Sequence, residues 1–200
     1  MAEIGLSLEQ SPTPETMKAT FNNPKYYLEN IYQLIKQKNY DNNNHYEFIL
    51  QNGIFYEATY KELINSPQEH FYPKYCYYNA YTLAKASKGE IIYVEGFAAL
   101  SNMPICVPHA WGIIQKTQQV VDPTWRFLID ESSPNIENLY GYYYGVPLPL
   151  EIVEKVYQWY RENTRTDSYC VFVDNQAFYS YLKKNNLLFS QFLQIETLPP

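Results

Sequence analysis

The sequence has few cysteines, few basic residues and no long apolar run. Three cysteines in 200 residues form an odd, sparse set, which argues against a disulfide framework and favours a reducing cytosol. No apolar stretch approaches the roughly 20 residues that a membrane-spanning helix needs. The first 25 residues show neither a basic nor an apolar signal region, which predicts no secretory leader. We therefore expect a cytoplasmic protein that is not bound to a membrane.

Positive charge is also scarce. Lys and Arg total 15 against 21 Asp and Glu, a net charge of −6. Nucleic-acid binding needs clustered cations to neutralise phosphates, so we expect no nucleic-acid partner. The sequence has no Cys-x-x-Cys or His-x-x-x-His pair, so we expect no metal site and no cofactor. Tyrosine is the residue in excess, with 22 copies.

The length fits one domain with a sizeable core. Residues 1–23 lack periodicity and predict a loosely ordered lead-in, which leaves 24–200 as a single domain. Apolar spacing and the positions of Pro and Gly predict five helices. These are Pro24–Lys38, Tyr60–Asn65, Cys76–Lys88, Pro149–Arg161 and Asn175–Lys184.

Strand patterns fill the gaps between these helices. Asn52-Gly53 separates two short apolar runs, His45–Leu50 and Ile54–Thr59, which predicts a hairpin. Further strands are predicted at Ile91–Leu100, His109–Gln115, Gln119–Asp122 and Tyr169–Val173, with irregular structure over Arg126–Tyr144. A helix headed by a cysteine precedes most of these strands, and this order predicts an α+β fold rather than a doubly wound parallel sheet.

Three residues have the types and order of a cysteine-dependent catalytic triad. Cys76 begins a predicted helix, where unpaired N–H groups and the helix dipole stabilise a thiolate. His109 opens one strand and Asp122 ends the next, so a hairpin would bring both together. The imidazole could then move a proton to the leaving amine, and the carboxylate could fix its tautomer.

These residues resemble the transglutaminase-like branch of the papain-like cysteine enzymes. The resemblance spans Lys74 to Trp125, about a quarter of the chain. It rests on Tyr75-Cys76-x-x-Asn79-Ala80, Tyr93-Val94-Glu95-Gly96-Phe97-Ala98, His109-Ala110-Trp111 and Val121-Asp122-Pro123-Thr124-Trp125. It implies a papain-like (transglutaminase-core) α+β fold, with the cysteine-headed helix packed on an antiparallel sheet that carries His and Asp.

By the same resemblance, Cys76 is the nucleophile, His109 the base and acid, and Asp122 the orienting carboxylate. The implied reaction is acyl transfer at an amide bond through a thioester on Cys76. A peptidase, amidase or deamidase is favoured over a cross-linking transglutaminase, because water is the default acceptor and no amine-binding feature is visible. A protein or peptide is then the expected substrate. No counterpart of the calcium loops of animal transglutaminases is visible, so calcium dependence is not implied.

Other residues are candidates for oxyanion or substrate contacts. The backbone N–H of Cys76 could donate to the oxyanion, and Gln68 lies upstream, near where papain-type enzymes place a glutamine. Tyrosine supplies rigid, amphipathic contact area, so tyrosines clustered at Tyr140–Tyr144 and around Cys76 suggest an aromatic-walled cleft. The candidates for its wall are Tyr75, Asn79, Trp111, Trp125, Tyr143 and Tyr144.

Structural alternatives remain open for most of these residues. Trp111, Trp125 and the tyrosine-rich segment could simply be core, and Asp122-Pro123 a strand-ending turn. Cys106 and Cys170 lie in apolar runs and are expected to pack in the core. At the level of the whole protein, the alternative is an inactive transglutaminase-like fold that binds a protein or peptide. A Cys76 that is buried, or distant from His109, would favour that alternative.

Overall fold

The computed structural model describes residues 23–37, 44–68, 70–102, 106–164 and 168–171, together with positions 178, 180 and 184. The helices are α1 (Pro24–Gln37), α2 (Asn44–Asn52), α3 (Tyr60–Ile64), α4 (Cys76–Ala86) and α5 (Leu150–Thr164). The strands are β1 (Ile54–Thr59), β2 (Ile91–Leu100), β3 (Val107–Ile114), β4 (Val120–Val121) and β5 (Tyr140–Leu148). Two short 3-10 helices cover Trp125–Leu128 and Ile136–Asn138.

The strands form one sheet in the order β1-β5-β2-β3-β4. Every pairing is antiparallel, so the α+β class is confirmed. Strand β4 pairs with β3 only at Gly112 and Ile113. The part of β3 that carries His109 therefore extends beyond its short partner, and α4 packs against β3 and β2.

The sheet separates two apolar cores, because successive side chains along a strand point to opposite faces. On one face, Tyr93, Phe97 and Tyr144 pack with apolar residues of α1, α2, α4 and α5. On the other, Trp111 and Tyr143 pack with Leu63 of α3 and Trp125 of the first 3-10 helix. His109 is on the second face, since it lies two residues before Trp111.

Several predicted elements are confirmed within one or two residues. These are α1, α3, α4, β2, β3 and β4, and α5 is confirmed with an end three residues later than predicted. Helix α3 begins with a capping box, in which Thr59 and Glu62 satisfy each other's backbone N–H groups. Gly89 follows α4 with φ +97, a left-handed conformation that glycine adopts without strain.

The predicted hairpin around Asn52-Gly53 is wrong. Residues Asn44–Asn52 form α2, and only the second run, Ile54–Thr59, is a strand. The Gly53 N–H donates to the carbonyl of Ile49 at 2.7 Å, so Gly53 ends a helix instead of turning a hairpin. Its lack of a Cβ also admits the ring of Tyr144, which a side chain at this position would overlap.

The irregular structure predicted for Arg126–Tyr144 is also partly wrong. From Tyr140 the chain enters β5, which lies between β1 and β2. Aromatic residues favour strands. Because β5 is paired on both edges and buried on both faces, its residues do not alternate between apolar and polar, which is the pattern that predicts a strand. The tyrosine-rich segment is thus part of the sheet and not a surface loop.

The predicted strand Tyr169–Val173 is not observed over the part that is described, since Tyr169 to Val171 form no strand. Residues 172 and 173, most of the predicted helix Asn175–Lys184, and the lead-in to residue 22 lie outside the described residues.

A buried carboxylate holds residues 169–171 to the sheet. Glu95 is fully buried and accepts hydrogen bonds from the Tyr93 hydroxyl (3.0 Å), the Val171 N–H (2.8 Å) and the Cys170 thiol (3.2 Å). A buried charge is tolerated when hydrogen bonds replace its water. Among the described residues, no helix is both long and apolar enough to span a bilayer.

Candidate active site

Cys76 is the first residue of α4. The preceding residue, Tyr75, provides no side-chain hydrogen bond to the helix end, in contrast to the capped start of α3. The first N–H groups of a helix have no partner within it and carry partial positive charge. The thiol therefore lies at a helix N-terminus that no Tyr75 side chain caps. Cys76 keeps 9 % of its accessible surface.

His109 and Asp122 form a buried pair. The His109 Nε2 lies 2.7 Å from Asp122 Oδ2, with both side chains almost wholly inaccessible to solvent. The Cys76 side chain lies near enough to the imidazole to act on the pKa of His109, whereas the described hydrogen bond of the imidazole is to Asp122. Since Nε2 is taken by Asp122, Nδ1 is the nitrogen that remains for the sulfur. The structure therefore joins the predicted His109 and Asp122 directly and places the predicted Cys76 close enough to act on the same imidazole.

The surroundings of His109 favour its protonated form. Burial by itself lowers the pKa of an imidazole. Here the negative charges and hydrogen bonds of Asp122 and Cys76 outweigh burial and raise the pKa of His109 from 6.5 to about 10. An imidazolium at neutral pH can hold a thiolate on one side and donate to a carboxylate on the other.

The Asp122 carboxylate is held by four hydrogen bonds. Oδ1 accepts the N–H groups of Thr124 and Trp125, each at 3.0 Å. Oδ2 accepts His109 Nε2–H and the hydroxyl of Tyr143, the latter at 3.0 Å. The turn that follows Asp122 is thus closed by its own side chain, as Asp-Pro sequences favour. The same turn fixes the oxygen that faces His109.

Aromatic rings surround the imidazole. The ring of Trp125 stacks on His109 at 4.6 Å between centroids and an angle of 24°. The rings of Trp111 and Tyr143 lie further from His109, at 6.4 Å and 6.3 Å between centroids. These rings exclude water from the His109–Asp122 pair, and the low local dielectric strengthens its electrostatic interaction.

Two buried polar residues join the parts of the site. The Asn79 amide donates to Thr124 Oγ1 (2.9 Å) and to the Tyr72 carbonyl (2.6 Å), and its oxygen accepts the Tyr72 N–H (3.1 Å). The Ser66 hydroxyl accepts the Asp122 N–H at 2.8 Å. Asn79 thereby links α4 to the turn after Asp122. Ser66 was not expected from the sequence, where Ser66-Pro67 indicates only the end of a helix.

The aromatic-walled cleft is not formed by most of the predicted residues. Trp111 and Tyr143 are fully buried and Trp125 is 4 % exposed, so they line the core around His109. Tyr144 lies on the opposite face of the sheet, where its hydroxyl donates to the Leu50 carbonyl at 2.9 Å. The buried Asn79 side chain is committed to the contacts described above. Their burial follows from the position of β3 and β5 inside the sheet.

Tyr75 and Gln68 remain accessible. Tyr75 is 63 % exposed and packs against Tyr72 at 6.0 Å between ring centroids, so it is the groove candidate that a ligand can reach. Gln68 is exposed, and among the described contacts its backbone carbonyl accepts the Phe71 N–H. No described contact joins the Gln68 side chain to Cys76, so its role as an oxyanion donor stays a prediction.

Cys106, Cys170 and His70 have surroundings different from those of the triad. Cys106 is buried, and burial raises the pKa of its thiol to about 12, so it is kept in the unreactive protonated form. Cys170 is buried against Glu95, away from any strand. His70 is exposed, and the His45 side chain is outside the described set. Within the described residues, no group of three His, Cys, Asp or Glu could hold a metal ion.

A scan of protein-family models and searches of curated proteins and of solved structures each found no match. The resemblance to transglutaminase-like enzymes therefore rests on the motif residues quoted from the sequence.

Proposed function

We propose that the protein is a cysteine-dependent enzyme that transfers the acyl group of an amide through a thioester on Cys76. The observation that carries this proposal is an imidazole bonded to Asp122 at Nε2, whose pKa is also acted on by Cys76, the first residue of α4. A buried histidine needs one hydrogen-bond partner for each ring nitrogen, and any polar group could serve. Here the partners are a thiol at a helix N-terminus and a carboxylate, in the order that nucleophilic catalysis uses.

The proton and electron balance is simple. The Cys76 sulfur, as thiolate, attacks the amide carbonyl, and the carbonyl electron pair moves to oxygen. When the tetrahedral intermediate collapses, the C–N bond breaks and the His109 imidazolium gives its Nδ1 proton to the leaving amine. Water or a second amine then attacks the thioester, with neutral His109 taking its proton, and the thiolate is released. Throughout, the Nε2 proton stays on the imidazole and donates to Asp122, which keeps the tautomer of the ring fixed.

The helix N-terminus is suited to stabilise the developing oxyanion. The backbone N–H of Cys76 lies in the first turn of α4, and no Tyr75 side chain caps that turn. Free N–H groups at a helix start are effective donors to anionic oxygen. The nucleophile and its oxyanion donor thus belong to one residue.

The wider proposal follows from the resemblance. We assign the fold to the papain-like, transglutaminase-core type, supported by the antiparallel sheet and the packing of α4 against β3 and β2. The substrate is a protein or peptide amide, and the setting is the cytoplasm. Hydrolysis is favoured over cross-linking, because water is the default acceptor and no amine-binding feature is visible among the described residues.

One observation favours a different function. Cys76 retains only 9 % exposure, as expected for an inactive fold that binds a protein or peptide. Within the proposed enzyme, this burial means that the substrate carbonyl must reach the sulfur through the small accessible part of Cys76. The two functions differ in whether the sulfur reacts.

Alkylation distinguishes them. The protein is treated with iodoacetamide at neutral pH, and each cysteine is quantified by mass spectrometry over time. We expect Cys76 to react at least about tenfold faster than Cys106 and Cys170, because thiolate and not thiol is the nucleophile. His109→Ala should slow Cys76, since it removes the imidazolium. Cys106→Ala serves as the control, because it removes a buried thiol without touching the triad.

A second step tests turnover. The protein is incubated with a peptide library, and hydroxylamine then releases any acyl group from Cys76 as a hydroxamate. An acyl group on Cys76 that disappears in Cys76→Ala supports the enzyme. Preferential labelling of Cys106 or Cys170, or no acyl group on a reactive Cys76, would leave the binding function as the better account.

A further inference from the structure

Tyr143 lies at the triad but is not one of its three members. Its side chain is fully buried, and its hydroxyl donates to Asp122 Oδ2 at 3.0 Å. The same oxygen accepts His109 Nε2–H at 2.7 Å. One carboxylate oxygen therefore has two competing donors, a phenol from β5 and an imidazole from β3.

We infer that Tyr143 is a positioning residue that sets how strongly Asp122 holds the proton on His109. This inference rests on the proposed function, because it describes how the same site is adjusted. A hydrogen bond from a phenol withdraws electron density from Oδ2 and weakens it as an acceptor for the imidazolium. Tyr143 thus limits the basicity of His109, which must still give up its proton to the leaving amine.

The phenol is fitted for this role by its environment. Burial, followed by the charge of Asp122, raises the pKa of Tyr143 well above 10, so it stays protonated and remains a donor. Its ring is fixed by Trp111 at 5.0 Å and Trp125 at 5.3 Å between centroids. The hydroxyl therefore approaches Oδ2 along a fixed direction.

The neighbouring tyrosine provides a matched control. Tyr144 is also buried on β5, but it points to the other face and donates to the backbone carbonyl of Leu50. Tyr143→Phe and Tyr144→Phe each delete one hydroxyl and one hydrogen bond, which is buried for Tyr143 and partly buried for Tyr144. Only the first removes a donor from Asp122. A purely structural role of the hydroxyl would make the two variants behave alike toward His109.

The test is the titration of His109 by NMR on protein labelled with ¹⁵N-histidine, without substrate. We expect Tyr143→Phe to raise the pKa of His109 by about 0.5 to 1 unit, and Tyr144→Phe to leave it unchanged. In turnover, Tyr143→Phe should lower kcat by about threefold to tenfold with little change in KM, because the proton is held more tightly. In the pH–rate profile of this variant, the alkaline decline of activity should move to higher pH, in step with the higher pKa of His109.

A second substitution covers the case in which Tyr143→Phe does not fold. Site-specific 3-fluorotyrosine at position 143 makes the phenol a stronger donor, and we expect it to lower the pKa of His109. No shift, or a shift in the same direction for both changes, would overturn the inference. So would an equal shift in Tyr144→Phe. Because the titration needs no turnover, a failure of the acyl-transfer proposal is seen separately, as absence of the hydroxamate.

Discussion

At His109, the assignment of the two ring nitrogens determines the chemistry. Nε2 faces Asp122 and Nδ1 is left for Cys76. The identities of the three residues and their order along the chain could be predicted from the sequence. The nitrogen assignment could not, because it depends on how β3 faces α4 and on where the turn after Asp122 places its carboxylate.

The raised pKa of His109 predicts the alkaline limit of activity. Below about 10 the imidazole is protonated and can supply the proton that a leaving amine needs. As the pH rises through that value the proton is lost, so amide cleavage should fall. An activated ester has a leaving group that needs no proton, so its cleavage should persist.

The measurement compares acyl p-nitroanilides with the matching p-nitrophenyl esters from pH 6 to 11, with Cys76→Ala as the background to subtract. A separate decline of the anilide rate above about pH 10 agrees with the assignment. If both rates decline together, or the anilide rate is still rising there, His109 is not the acid.

Among the elements, β2 and β5 show how glycine positions the site. Gly96 pairs with His109 on one side and with Gly145 on the other. A Cβ at Gly96 would overlap backbone atoms of Tyr144 and Gly145. The two strands can therefore approach at this point only without side chains, and the ring of Trp111 packs over the space above Gly145.

This close approach predicts a large difference between two glycine substitutions. Gly96→Ala should destabilise the protein by more than about 4 kcal/mol or prevent folding, because backbone atoms cannot yield. Gly112→Ala on β3 meets mainly the side-chain tips of Ile91 and Leu83, which can repack at about 1 to 2 kcal/mol. Urea unfolding of both variants gives the comparison. Equal losses would mean that β2 and β5 separate more easily than their geometry implies.

The incorrectly predicted elements have a common cause. Asn52-Gly53 suits a hairpin turn, yet the chain on its N-terminal side packs as helix α2 against the core under β5. The segment Tyr140–Leu148 has aromatic residues on both faces because β5 is buried between two strands and two cores. Local patterns could not anticipate either result, since each depends on partners far away in the chain.

In the whole molecule, Asn79 connects regions that are distant in sequence. It joins α4 to Thr124, 45 residues later, and to the backbone of Tyr72. Cys76 is carried by α4 and Asp122 by the turn beside Thr124. Their separation is therefore set in part by one buried amide.

Asn79→Ala should accordingly reduce both stability and reactivity. Leaving the Tyr72 N–H and Thr124 hydroxyl without this partner should cost about 2 to 4 kcal/mol. Alkylation of Cys76 should slow even where the protein remains folded, because α4 is no longer fixed against the turn. Unfolding curves and labelling rates are the two measurements.

The control for this substitution lies near the other end of the same helix. Lys85→Ala removes an exposed pair with Glu154, and such surface pairs contribute little. It should leave both measurements nearly unchanged. If Asn79→Ala lowers stability but Cys76 keeps its labelling rate, the amide supports the fold without positioning the nucleophile.

The sequence by itself indicated the residues of the candidate site and the α+β class: a cysteine at a helix start, a histidine near the start of a strand and an aspartate directly after one. These features depend on local helix and strand propensity and on the order of residues, both of which can be read from the sequence without the tertiary structure. Tertiary structure decided which nitrogen faces which partner, that Tyr143 reaches Asp122, and that most expected cleft residues are core. The reason is that the order of the strands, and the face of the sheet to which each side chain points, arise from burial of both sheet faces. No local segment specifies that burial.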